Sequence, residues 1–431
     1  MREGLSKERA REVLDSVAAR LRAPEVLKAA RVDSLAVGHP GIALLFTTLA
    51  ADGDAEARSV AHAHLAAAIR PPGGLRASGL FGGTAAVAFA ARVAATGPDA
   101  YRSLLDTVTP RVAEAAVERA RALRAGRAAG TGTPSHLYDA VSGASGLARL
   151  LLALDPHGPP LRECLEALVD LAEPAVTPHG TLPGWWTADG PGAQGPNPDF
   201  PRGHLNLGLA HGIPGPLSVL ALAHEQGVRV RGHAEAIGRF AGWLTGRVHE
   251  DGCGPYWPLT VRAEDELSGE RPPNPATRAA WCYGTPGVAR ALFLAGRALA
   301  EKEWQELAGR SMRAVLARPV DTRALEGSGL CHGIGGLLQI TARMAYDMDD
   351  TELSAQLPLL GEQLVRGMEG VGAMGAMGES GFLEGEAGAA LALHTYVEGD
   401  RWVERGRSVE GSPSDPSDPQ LLPWDAALLL G

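Results

Sequence analysis

Lysine is almost missing from this chain of 431 residues: Lys7, Lys28 and Lys302 stand alone among basic residues that are otherwise arginine. Such a bias fits a GC-rich genome better than a functional demand. Basic residues as a whole are outnumbered, with Lys+Arg 40 against Asp+Glu 50 and a net charge of -10. That balance argues against a nucleic-acid binder, which carries a basic face. Aromatic residues are scarce at 5%, so the core must be built largely of Ala, Leu and Val, which suits close helix packing. Four cysteines in so long a chain make no disulfide framework. No apolar run approaches 18 residues, so no membrane span is expected. The start has no apolar h-region, so no signal peptide is expected and the cytoplasm is the expected compartment. Hydrophobic residues still make up 45%, enough for a core and too many for a disordered chain. Length alone suggests two or three domains, but large barrels and toroids escape that rule.

Against these absences stands one recurring phrase: Gly, two residues, Gly, then an apolar run of helical spacing. It begins at Gly38, Gly83, Gly143, Gly212, Gly284, Gly333 and Gly385, with Ala86 replacing the second glycine of copy two. The steps between copies are long enough for two helices and their loops. Val13, Leu14, Val17 and Leu21 form one helical stripe, and Trp304, Leu307, Ala308, Met312 and Val315 another. Thr109-Pro110 reads as the N-cap and first turn of a further helix. The simplest architecture is all-α, a single domain over residues 1–431: an α/α toroid, a double ring of about seven inner and seven outer helices. The glycines are then explained by crowded helix starts that leave no room for a Cβ. Two Pro/Gly/Trp-rich connections, 174–206 and 248–276, interrupt the rhythm as long loop insertions; functional lids and plain surface insertions weigh equally. Residues 412–419 read as a flexible loop before a last packed segment at 424–430.

Most copies carry a bland residue just before their first glycine. Copies four, five and six carry His211, Cys282-Tyr283 and Cys331-His332 instead. Two thiolates and one imidazole from adjacent copies, Cys282, Cys331 and His332, are a ligand set for Zn²⁺ with a fourth position open. The 49-residue gap between the two cysteines is unlike a zinc finger and suits a site whose ligands come from different elements. Cys164 reads as an inert core thiol and Cys253 as a weaker ligand candidate. His211 is a candidate general acid or base aimed at the open metal position. Asp139 is a candidate to orient it, Arg278, one helical turn before Cys282, to stabilise an anion, and Tyr283 to donate a hydrogen bond. For these last three a structural role stands equally open.

The phrases Gly208-Leu209-Ala210-His211-Gly212, Trp281-Cys282-Tyr283-Gly284-Thr285-Pro286-Gly287 and Cys331-His332-Gly333 resemble the hallmarks of the LanC-type lanthionine synthetases, the lantibiotic cyclases. Residues 381–388 resemble that family's last repeat. The resemblance implies an α/α toroid with a zinc held by Cys282, Cys331 and His332, and it places His211, Asp139, Arg278 and Tyr283 in the active site. It implies addition of cysteine thiols to dehydroalanine or dehydrobutyrine, closing (methyl)lanthionine thioether rings in a lanthipeptide precursor. Expected partners are the dehydrated precursor peptide, leader plus core, a separate dehydratase and a transporter complex, at a cytoplasmic site peripheral to a membrane-associated assembly; no nucleic acid is expected. Two alternatives remain open: transfer of a free thiol such as glutathione to dehydrated residues, and a non-catalytic, zinc-containing scaffold that binds peptides.

Overall fold

The computed structural model describes residues 2–27, 32–70, 74–192, 197–273, 278–373, 380–399 and 422–431. The expected flexible loop at 412–419 lies outside them. Sixteen α-helices are described, beginning with α1 (Arg2–Leu21), α2 (His39–Ala51), α3 (Ala55–Ala68), α4 (Gly83–Ala94) and α5 (Arg102–Ala129). Next come α6 (Ala144–Leu154), α7 (Pro159–Asp170), α8 (Pro214–Glu225), α9 (His233–Thr245), α10 (Ala263–Ser268) and α11 (Thr285–Ala298). The last are α12 (Lys302–Ala317), α13 (Ile334–Asp347), α14 (Thr351–Ser354), α15 (Leu357–Ala373) and α16 (Glu386–Glu398). Six short strands sit in the two long connections: β1 (Ala175–Thr177), β2 (Gly180–Leu182), β3 (His204–Asn206), β4 (His249–Asp251), β5 (Gly254–Tyr256) and β6 (Thr260–Arg262).

The helices fall into two kinds, as the sequence pattern requires. Those opening at the seven glycine turns, α2, α4, α6, α8, α11, α13 and α16, are apolar nearly all round. In α11, for example, every residue from Thr285 to Gly296 is buried. Helices that are hydrophobic all round belong inside a core. The helices between them bury one stripe; α12 covers Ala308, Met312 and Val315 and leaves its charged face exposed.

Two compact units divide the chain, Met1–Val112 with Leu325–Ala426, and Ala113–Ala324 with Ala427–Gly431. In the first, α13 packs on α16, α16 on α2 and α2 on α4, flanked by α15, α1 and α3. In the second, α6 packs on α8 and α8 on α11, flanked by α7, α9 and α12. The 424–430 segment is buried as expected.

The glycine turns are joined by backbone hydrogen bonds at equivalent positions. In the second unit Ala140 N–H donates to Ala210 C=O (3.1 Å), and Ala210 N–H to Cys282 C=O (3.3 Å). In the first, Cys331 N–H donates to Leu383 C=O (2.9 Å), Leu383 N–H to Ala36 C=O (3.0 Å) and Leu35 N–H to Phe81 C=O (3.2 Å). Copies three, four and five are thereby stapled together within one unit, and copies six, seven, one and two within the other. The second glycine has a local cause as well as crowding by the neighbouring turn, which puts Phe382 Cβ 2.8 Å from a Cβ on Gly41 and Leu209 Cβ 2.8 Å from one on Gly287. A Cβ on Gly41, Gly287, Gly336 or Gly388 would fall within 1.7–2.6 Å of the carbonyl oxygen six residues earlier in the same turn.

Two local expectations change. Pro110 lies inside α5, not at its start. The signal Thr109-Pro110 is a local one, and the buried stripe Val108, Val112, Ala116, Ala120 and Leu123 continues through it. The packing of that stripe outweighs the hydrogen bond that an interior proline forfeits. Residues 278–284 are not helical, so Arg278 does not lie one helical turn before Cys282; an antiparallel bridge pairs Ala279 with Gly284 instead. The two long connections carry short strands, and β3 of one pairs with β6 of the other. Trp185, Trp186 and Trp257, within these connections, are buried.

Candidate active site

Turn three supplies Asp139, which is buried (1% exposed) yet fully engaged. Its Oδ1 accepts the backbone N–H of Val141 (3.1 Å), Ser142 (2.6 Å) and Gly143 (2.8 Å). Its Oδ2 lies 2.6 Å from His211 Nδ1 in turn four. One carboxylate therefore both shapes its own turn and fixes the neighbouring imidazole. A carboxylate at Nδ1 makes that nitrogen the protonated one, which directs Nε2 to the chemistry. Burial alone would lower the His211 pKa. The hydrogen bond to Asp139, its charge and a contribution from Cys282 outweigh burial and hold the imidazole above its usual 6.5.

Turn five brings Cys282 and Tyr283. Gly208 is the close-approach point, since a Cβ there would come within 2.5 Å of Cys282 C=O and 2.7 Å of the Tyr283 ring. Tyr283 lies with its ring centroid 6.4 Å from that of His211. Asn206 Nδ2 donates to Tyr283 Oη at 2.9 Å, and Asn206 Oδ1 accepts from Gly208 N–H at 2.8 Å. Because its oxygen already accepts one bond, the Tyr283 hydroxyl proton is directed elsewhere. Arg278 is half-buried at the start of this turn, with its carbonyl against Gly284.

Turn six carries Cys331 and His332. Glu326 N–H donates to His332 C=O at 2.9 Å, closing the turn. Two carboxylates face the ring: Glu384 Oε2 at 3.2 Å and Glu326 Oε2 at 3.9 Å from His332 Nε2. Cys282, Cys331 and His332 form a group whose ligand atoms all lie within 4.8 Å of one another. Tetrahedral zinc with Zn–S near 2.3 Å and Zn–N near 2.0–2.1 Å needs such atoms about 3.5–3.8 Å apart. Two sulfurs and one nitrogen are the donor set such an ion takes, with one position left for a further ligand, and a closing of the group by about 1 Å at most would bring them to that spacing.

The other cysteines stay apart. Cys164 is buried, its Sγ against Ala116 C=O at 3.3 Å, and burial pushes its thiol up to about 12. Cys253 is exposed at the β4–β5 turn. Sequence reasoning missed Asn206, which no motif announces. It also passed over Glu384, although Glu384 precedes the first glycine of copy seven just as His332 does in copy six.

Among the described residues, no helix is long and apolar enough to cross a membrane. The profile of the family described as "Lanthionine synthetase C-like protein" matches residues 30–404. The nisin biosynthesis protein NisC of Lactococcus lactis subsp. lactis is 24% identical over 327 residues, 75% of each chain. A solved structure of nisin cyclase superimposes with a TM-score of 0.76 at 20% identity, covering 98% of this chain and 97% of that one. The all-α, α/α-toroid fold expected from the repeats is the fold shared with that protein. With most of its length matched, the chain belongs to the lanthionine synthetase C-like family.

Proposed function

We propose that this protein is a zinc-dependent lanthionine synthetase that closes thioether rings in a dehydrated precursor peptide. The observation that carries the reading is the convergence of Cys282, Cys331 and His332. Those three side chains would hold the zinc. Bound there, the ion supplies a Lewis acid that lowers a thiol's pKa from about 8.5 and keeps it nucleophilic at neutral pH.

The protein's own groups serve the other half of the reaction. When a cysteine thiolate adds to the β-carbon of a dehydroalanine or dehydrobutyrine, the C=C electron pair moves onto the adjacent carbonyl as an enolate. Tyr283, its oxygen already accepting from Asn206, aims its hydroxyl proton at developing negative charge. Arg278, at the start of the same turn, adds positive charge. The α-carbon must then receive a proton. His211, held protonated by Asp139, delivers it from Nε2 and recovers one from solvent or from the incoming thiol. A separate dehydratase makes the substrate.

Incubation with a dehydrated peptide, with and without glutathione, tests this, with free thiols trapped and counted by mass. Loss of free thiols at constant peptide mass supports cyclisation. A gain of one glutathione per dehydro residue would indicate intermolecular thiol transfer, and no change would leave a binding scaffold.

A further inference from the structure

Glu384 takes no part in the reaction described above, yet the backbone is arranged to bring it to His332. Leu383 C=O accepts the N–H of both Leu330 (2.7 Å) and Cys331 (2.9 Å), which lays turn seven against turn six. The approach depends on Gly329, where a Cβ would sit 2.7 Å from Leu383 C=O and 2.9 Å from Glu384 Cα. Leu383 N–H in turn donates to Ala36 C=O, so the segment is held from both sides. Its neighbour Glu384 consequently meets His332 with Oε2 at 3.2 Å from Nε2, both side chains about a third exposed. Glu326 is farther, at 3.9 Å, and its side chain is 63% exposed. The two groups are within ion-pair distance without yet being aligned as a hydrogen bond, and a small rotation of the partly exposed Glu384 side chain would let its carboxylate accept the proton of a neutral Nε2–H imidazole.

We infer that Glu384 is a positioning residue: it holds His332 as the Nε2–H tautomer, so that Nδ1 offers its lone pair to the metal. This rests on the metal reading above and goes beyond it, because it names which ring nitrogen binds and which residue selects it. Outer carboxylates of this kind orient a ligating histidine and raise its basicity, and losing one weakens metal affinity about 10–100-fold. Glu326 is the comparison, being of the same charge beside the same ring but too distant to fix it.

The test is zinc affinity of the full chain by competition with a chromophoric chelator, for the parent and for Glu384→Ala, Glu384→Gln, Glu326→Ala and Cys282→Ala. Glu384→Ala should bind zinc about 10–100-fold more weakly with unchanged circular dichroism. Glu384→Gln keeps an acceptor oxygen and should retain most of the affinity, and Glu326→Ala should match the parent. In zinc-free protein with ¹⁵N-labelled histidine, the Nε2–H form of His332 should dominate in the parent, and the Nδ1–H form should gain population in Glu384→Ala. Should Glu384→Ala fail to fold, Glu384→Leu carries the same expectation. Parental affinity in Glu384→Ala would overturn the inference. So would a Glu384→Gln loss as large as that of alanine, which would mark Glu384 as a metal ligand itself. A parent that binds no zinc, or Cys282→Ala that keeps it, would overturn the metal reading and this inference with it.

Discussion

Replacing Asp139 by asparagine and by alanine separates two tasks performed by one buried side chain. Its Oδ1 gathers the N–H groups of Val141, Ser142 and Gly143, and its Oδ2 holds His211. Asparagine keeps the first task, because its carbonyl oxygen can take the place of Oδ1. It reverses the second, since an amide N–H₂ now faces Nδ1 and the ring must place its own proton on Nε2. Alanine removes both. A buried donor left without an acceptor costs about 1–3 kcal/mol; Gly143 is buried, while Val141 and Ser142 are half-buried and within reach of water. The total for alanine is therefore about 3 kcal/mol, against about 1 kcal/mol for asparagine. For a cooperative unit of about 150–250 residues, 1 kcal/mol moves Tm by about 2–4 °C, so alanine should lower it by about 6–12 °C. In both variants the two larger causes that raise the His211 pKa, the hydrogen bond and charge of Asp139, are gone, while burial, the largest cause of all, remains against the smaller contribution of Cys282, so its titration should move below 6.5. Calorimetry and histidine NMR titration at matched zinc content read the two effects. Equal Tm losses in the two variants would refute the assigned loop role. A His211 titration still above 6.5 in Asp139→Asn would refute the assigned electrostatic role.

Other expectations follow from the same geometry. His211→Asn should keep its zinc and lose about 10²–10⁴ in cyclisation rate; a zinc-replete variant closing rings at the parental rate would leave His211 a structural residue. The parent should carry about one zinc per chain, and Cys282→Ala or Cys331→Ala should lose it by elemental analysis with little change in helical circular dichroism, since a core this size does not depend on one metal. Gly284→Ala should be poorly folded, because φ is +113° and the new Cβ would fall 1.5 Å from Arg278 C=O; a parental melting curve would contradict this. His64 Nε2 is bonded to Leu21 C=O and its Nδ1 to His39 Nδ1 at 3.0 Å, and burial lowers both histidines, His64 to about 4. They stay neutral in the fold while the unfolded chain takes up protons below about 6.5. Stability should thus be complete above about pH 6.5 and fall toward pH 4, by about 3 kcal/mol for His64 alone. His64→Gln should flatten that part of the stability–pH curve.

The repeats were legible because the demand behind them is local. In four of the seven turns the second glycine abuts a carbonyl six residues earlier, at 2.6 Å or less from an added Cβ. Cys282, Cys331 and His332 were legible because soft ligands interrupt a position that is elsewhere bland. Glu384 occupies that same position, but in a chain with 50 acidic residues a glutamate does not stand out. Asn206 was hidden for a different reason, since its partners Tyr283 and Gly208 are fixed by pairing of β3 with β6 between distant loops. The start of α5 was misread because Thr109-Pro110 is a strong local signal, and only tertiary burial of the stripe from Val108 to Leu123 reveals a longer helix.

The composition of the first unit bears on the order in which the chain assembles. It joins Met1–Val112 to Leu325–Ala426, whereas nearly all of the second unit is the continuous stretch Ala113–Ala324. During synthesis the N-terminal segment emerges with α2 and α4 already apolar nearly all round, but α2's neighbour α16 lies more than three hundred residues downstream. Closing so large a loop is slow, although its free-energy cost grows only logarithmically with length. A nascent chain therefore exposes two largely apolar helices for most of its synthesis, while the contiguous unit can condense around α6, α8 and α11. Chaperone engagement should concentrate on the first hundred residues, and pulse-labelled hydrogen exchange should show α8 and α11 protected before α2.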